Sequence, residues 1–149
     1  MRQLNLFKSN RQRGTKPPPP LEFSNHVVLA DILRRWCNPA WRWTHIASGE
    51  SREHRVNSKG QRYSPTGNRL KRLGVHKGWP DLVFCGPERR SAWLELKRKR
   101  LGRISDEQDE IGEHLKANGF DYLVTDDVGE AVRFLQHLDI LPDKIKDVV

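Results

Sequence analysis

The sequence predicts an α/β protein, a mixed central sheet flanked by helices, and three observations predict it. Apolar residues recur at helical spacing near residue 30 and again near residue 130. Four short apolar or alternating runs, bounded by turn residues, read as strands. The order is helix, strand, strand, strand, helix, strand, helix, which suits a layered α/β core. At 149 residues the chain is long enough for one domain with a real core.

Residues 1–20 form a basic, proline-rich tail in which Pro17 to Pro20 favour stiff polyproline II over packing. It is either a disordered leader or an arm touching phosphates. The domain follows over residues 21–149. Val28, Leu29, Ile32, Leu33 and Trp36 mark a first helix over 21–36, and the alternating stretch 41–48 a first strand. Residues 49–68 are long, polar and without apolar periodicity, which predicts a mobile loop. A short helix over 69–73 ends at Gly74. Strands over 81–85 and 92–97 then make a hairpin around a Gly-Pro turn. Ser105 with Gln108 three residues on is a capping box, Ile111 and Leu115 make the helix's inner face, and Gly119 stops it. A strand over 121–125 precedes a final helix, capped by Asp126, through Val128, Ala131, Val132, Leu135 and Leu138.

Lys and Arg total 27 against 19 Asp and Glu, a net charge of +8 with a pI near 9.9. That excess favours a polyanionic partner, nucleic acid before membrane, because no basic amphipathic helix or long apolar run is present. Cys37 and Cys85 have no CxxC spacing and read as reduced core thiols of a cytosolic protein. The six histidines make no zinc-like spacing, and no phosphate-loop or dinucleotide glycine pattern occurs.

The chemistry concentrates between Gly78 and Arg100. Asp81 opens one hairpin strand, and period two puts Trp93, Glu95 and Lys97 on one face of the other. A buried carboxylate is costly unless paired or bound to a metal. Two such carboxylates with a backbone carbonyl and waters make a hard-cation site suited to Mg²⁺ or Mn²⁺. Lys97, on the same face, would orient a water and offset charge in a phosphorane-like transition state. The plainer reading is an exposed edge strand whose Glu95 and Lys97 pair with Arg89 or Arg98. Arg69, Lys71, Arg72 and Lys77 precede the acidic cluster, and Arg98, Lys99, Arg100 and Arg103 follow it. Their placement on both flanks suggests a DNA-binding phosphate rim, against the default of a solvated charge run. Trp79 beside Asp81 reads as a packing residue rather than a base-stacking one.

Pro80-Asp81, followed by Glu95-Leu96-Lys97, is similar to the signature of the PD-(D/E)XK nucleases. "GVHKGWPDL" and "LELKRKRLGRISDEQ" resemble more closely the VRR-NUC (virus-type replication-repair nuclease) family, through the glycine before Pro-Asp and the Ser105 and Gln108 context. The resemblance covers roughly residues 21–138. It implies a restriction-endonuclease-like core, with Asp81, Glu95 and the Leu96 carbonyl as metal ligands and Lys97 as the catalytic lysine. Gln108 becomes the family's helix glutamine beside the site, although its side chain also closes the capping box. Glu22 matches the family's first-helix glutamate and shares a helical face with Leu29 and Leu33. A first-turn glutamate favoured by the helix dipole is the alternative.

By function, the resemblance implies a Mg²⁺- or Mn²⁺-dependent DNA endonuclease of replication, recombination or repair. It would be a homodimer acting on branched DNA such as four-way junctions, in the cytoplasm (the host's, if viral), with no small-molecule cofactor. The opposing expectation is a non-enzymatic nucleic-acid-binding module with the same fold.

Overall fold

The structure, a computed structural model, describes residues 22–46, 55–98 and 102–145, with the backbone alone at 22 and 23. The expected tail over 1–20 lies outside the described residues. Helix α1 (Glu22–Trp36) buries Leu29, Ile32 and Leu33. Val28 and Trp36, expected on that face, are instead largely exposed. Val28 sits about 100° around the helix from Leu29, and Trp36 is the last helical residue.

Strand β1 (Arg42–His45) is shorter than the stretch 41–48 expected for it, and Trp41 ahead of it is buried in the core. The expected loop over 49–68 is corrected from residue 55 onward. Strand β2 (Arg55–Val56) pairs antiparallel with β3 (Arg62–Tyr63), and helix α2 (Pro65–Arg72) begins before the 69–73 expected for it. Polar side chains build this region, which is why apolar periodicity missed it. Asn57 Oδ1 accepts the Lys59 and Gln61 N–H groups at 3.0 and 2.9 Å, closing the hairpin. Ser64 Oγ accepts the Gly67 N–H at 3.0 Å, and Pro65 occupies the first turn.

The main sheet has the order β1-β4-β5-β6, with β4 (Leu82–Cys85), β5 (Ser91–Leu96) and β6 (Asp121–Thr125). β1, β4 and β5 pair antiparallel, and β6 runs parallel to β5. A parallel neighbour needs a crossover, and helix α3 (Asp106–Ala117) supplies it. Helix α4 (Val128–His137) closes the fold, with the side chain of Asp127, not the expected Asp126, capping Gly129 and Glu130. This is a mixed α/β fold: a four-stranded mixed sheet flanked by helices.

One face of the sheet carries the core. Leu82, Phe84, Ala92, Leu94 and Leu96 meet Leu29, Ile32 and Leu33 of α1 and Ala131, Val132 and Leu135 of α4. Leu138, Ile140, Leu141 and Ile145 extend it past α4, the last three beyond the residues whose periodicity marks that helix. Cys85 alternates outward from Phe84 and is exposed, so it is not a core thiol; Cys37 is half-buried, and both are free. Among the described residues no helix is long and apolar enough to cross a membrane.

The opposite face lies under α3. Gly112 of α3 sits so close to the Tyr122 ring of β6 that an added Cβ would stand 2.6 Å from it. Gly78 has φ +91, and a Cβ there would overlap the Glu107 carbonyl in the first turn of α3. That glycine therefore lets the segment entering β4 touch the N-terminus of α3. Gly78→Ala is expected to lose about 1–3 kcal/mol of stability through left-handed strain and overlap. Urea unfolding measures it, and a variant as stable as the wild type would show that the approach is not tight.

Candidate active site

The register of the β4–β5 pair, Leu82 opposite Leu94, places Asp81 across from Glu95 by simple extension. Asp81 stands one residue ahead of β4 rather than inside it, and its carbonyl accepts the Ile46 N–H at 2.7 Å. On β5, Ala92, Leu94 and Leu96 turn into the core, while Trp93 and Glu95, and Lys97 one residue past the strand, turn toward α3. Glu95 is nonetheless 2% exposed. The edge-strand reading of this residue is therefore wrong: β5 is an inner strand, and α3 roofs its polar face.

Three side chains meet there. Lys97 Nζ donates to Glu95 Oε1 at 2.6 Å and to Gln108 Oε1 at 2.6 Å. Gln108 Nε2 donates to the same Glu95 oxygen. Gln108 Oε1 also accepts the Ser105 N–H at 3.1 Å, so the capping box and the site contact coexist in one side chain. Asp81 Oδ2 accepts the Leu96 N–H at 2.9 Å, which joins the second carboxylate to the strand carrying the first. Glu95 Oε2 is buried and has no hydrogen-bond partner among the described residues.

Burial, then the charge of Asp81, raises the Glu95 pKa to about 7, against the opposing pull of Lys97 and of the Asp81 backbone N–H. A buried carboxylate oxygen without a donor, beside a second carboxylate, is electrostatically suited to a cation. Mg²⁺ is commonly held by one or two carboxylates while keeping several waters, and Asp81 with Glu95 fits that requirement. Among the described residues no group of three or more His, Cys, Asp or Glu side chains is placed to hold a metal ion.

Of the residues expected at the site, Asp81, Glu95, Lys97 and Gln108 come together, and Leu96 joins them through its backbone. Glu22 begins α1, but its side chain lies outside the described residues. Arg69, Lys71 and Arg72 are exposed in the last turn of α2, and Lys77 and Arg103 are exposed in loops. Arg98 is half-buried with an unpartnered Nε, while Lys99 and Arg100 lie outside the described residues. Trp79 packs on Trp93, ring centroids 5.3 Å apart, as its packing reading requires. His26 was missed: its Nε2 lies 3.4 Å from Asp81 Oδ2. The signal was present, since His26 follows Glu22 by one helical turn and shares its face.

No family model matches this chain, and neither the curated proteins nor the solved structures contain a match to it.

The raised Glu95 pKa has a definite sign in stability. Between about 4.5 and about 7 the folded state binds more protons than the unfolded chain, so this group makes stability fall as pH rises. Thermal melts of the metal-free protein from about pH 5 to about pH 7.5 are expected to show that decline, and Glu95→Gln, uncharged throughout, to flatten it. Parallel pH profiles for the two proteins would remove Glu95 as its source.

Proposed function

We propose that this chain is a Mg²⁺- or Mn²⁺-dependent DNA endonuclease of the VRR-NUC type, within the PD-(D/E)XK nucleases. The observation that carries the reading is Glu95, a buried carboxylate with one oxygen bound by Lys97 and Gln108 and the other without a hydrogen-bond partner among the described residues. Asp81 and Glu95 would hold the cation, and the Leu96 carbonyl and Glu22 complete the set that the resemblance implies. A divalent cation in such a site polarises a phosphoryl oxygen and lowers the pKa of a bound water. Lys97, fixed by Glu95 and Gln108, sets a positive charge beside the phosphodiester and orients the attacking water. Hydrolysis then adds water across one P–O bond of the DNA backbone.

The DNA-facing surface is drawn from the sequence flanking the site. From Arg55 to Lys77 the chain carries seven Lys and Arg and no Asp or Glu. The β2–β3 hairpin and α2 hold six of these cations, and Lys77 leads through Gly78 to Asp81. The stretch itself contains no carboxylate, which suits a run of phosphates. Assembly as a homodimer on branched DNA, in a cytoplasmic setting, completes the reading. The second reading is a non-catalytic DNA-binding module, favoured by the absence of a third metal-ligating side chain among the described residues.

Incubating the protein with labelled four-way junctions and linear duplexes, in Mg²⁺, Mn²⁺ or EDTA, separates the two. Metal-dependent cleavage is expected, with preference for the junction and a light-scattering mass of twice 17.4 kDa. Asp81→Asn and Glu95→Gln should abolish cleavage and retain DNA binding. Lys97→Ala should lower turnover about 10²–10³-fold, the size of one preorganised contact to developing charge. Binding without cleavage in the wild type would establish the module instead.

Affinity for duplex DNA, measured on Asp81→Asn in EDTA, should fall linearly in log salt by roughly 0.9 per neutralised phosphate. Arg69→Ala combined with Arg72→Ala should make that slope shallower. A slope unchanged by the pair would place the DNA elsewhere on the surface.

A further inference from the structure

The two carboxylates of the site are held by the same device. Glu95 has Oε1 engaged by Lys97 and Gln108, and Oε2 without a partner among the described residues. Asp81 has Oδ2 engaged by the Leu96 N–H at 2.9 Å, with His26 Nε2 at 3.4 Å from that same oxygen. Each carboxylate is thus pinned through one oxygen, which leaves the other as the atom available to a cation.

His26 is built into this arrangement from two sides. It comes from α1, whereas Asp81 precedes β4 and Glu95 lies on β5, so three separate elements converge. Its ring meets His45 of β1 edge-on, with centroids 5.3 Å apart and planes at 76°. His45 in turn pairs with Leu82, the residue after Asp81. The imidazole is therefore steadied by the same strand pair that carries the carboxylate it touches. Its side chain is 19% exposed and that of Asp81 17%, so water competes little for the contact.

We propose that His26 is a positioning residue of the metal site. With the Leu96 N–H it holds Asp81 Oδ2, so that Oδ1 and Glu95 Oε2 are presented together to one divalent cation. The proposal rests on the metal-dependent reading above. Groups that orient a metal-ligating side chain without touching the ion typically matter by about 10–100-fold in metal affinity.

Mn²⁺ binding to the full chain without DNA, followed by electron paramagnetic resonance, tests this directly. Wild type, His26→Ala and His26→Gln are compared, with thermal melts of each. His26→Ala is expected to weaken Mn²⁺ by about 10–100-fold. His26→Gln, whose amide nitrogen can occupy the place of Nε2, is expected to recover most of that affinity. Wild-type affinity in His26→Ala overturns the proposal, as does an equal loss in both variants that tracks lowered melting temperatures. If His26→Ala fails to fold, His26→Gln alone decides: affinity near wild type supports positioning through Nε2, and full loss in a folded protein overturns it. A wild type that binds no Mn²⁺ is a different result, because it removes the metal site and the nuclease reading with it.

Discussion

One side-chain amide ties this structure together. Gln108 Oε1 accepts from the Ser105 backbone and from Lys97, and its Nε2 donates to Glu95. An amide oxygen has two lone pairs, and here both are used. Helix initiation and site geometry are therefore a single event: α3 cannot begin elsewhere without moving the partner of Lys97. Residues of opposite charge in a buried setting gain from fixed donors because rearrangement there is costly in a low dielectric. Gln108 provides such a donor from the first turn of a helix that is itself locked down at Gly78 and Gly112.

Among the described residues the charges of the site do not balance. Asp81 and Glu95 face one ammonium group there, that of Lys97, and burial, then the charge of Asp81, raises the Glu95 pKa to about 7. A fold selected for stability alone would be better served by an apolar residue at the Glu95 position, since buried ion pairs rarely exceed hydrophobic packing in net worth. On the proposed reading, the arrangement would become favourable once a cation bound Asp81 and Glu95. Its field would return Glu95 to the ionised form and give the bare oxygen a partner. The same electrostatics explains why the site lies on the α3 face of the sheet. The α1/α4 face is filled by a continuous apolar cluster, whereas the α3 face carries Glu95, Lys97 and Gln108.

Much of the fold and site was legible in the sequence, for definite physical reasons. Period two on β5 sorted Glu95 and Lys97 from Leu94 and Leu96, because a pleated strand leaves no other choice. The capping box of Ser105 and Gln108 was readable because its two hydrogen bonds are local. The hairpin over 55–63 was not, because Asn57 and Gly60 form it without an apolar stripe. Cys85 was misplaced because a β-strand ending in Phe-Cys looks apolar on both faces until the partner helices are known. Helical spacing puts His26 on the face of Glu22, but its contact with Asp81 required knowing that α1 crosses beside the start of β4, a long-range fact.

The His26 contact bears on how the first helix serves the site. α1 packs its apolar stripe on the core face of the sheet, yet its first turns reach the strand end where Asp81 emerges. A helix anchored by Leu29, Ile32 and Leu33 can hold His26 in place with little additional ordering, because its backbone is already fixed by the core. The stable side of the fold thereby imposes geometry on the side where the chemistry would occur. Such coupling favours a site borne by rigid elements, β5 and the start of α3, with α1 as the external brace. The cations of the β2–β3 hairpin and α2 stand apart from that frame, outside the main sheet and exposed. Rigid chemistry and a separately built basic surface are compatible demands because each draws on a different part of the chain.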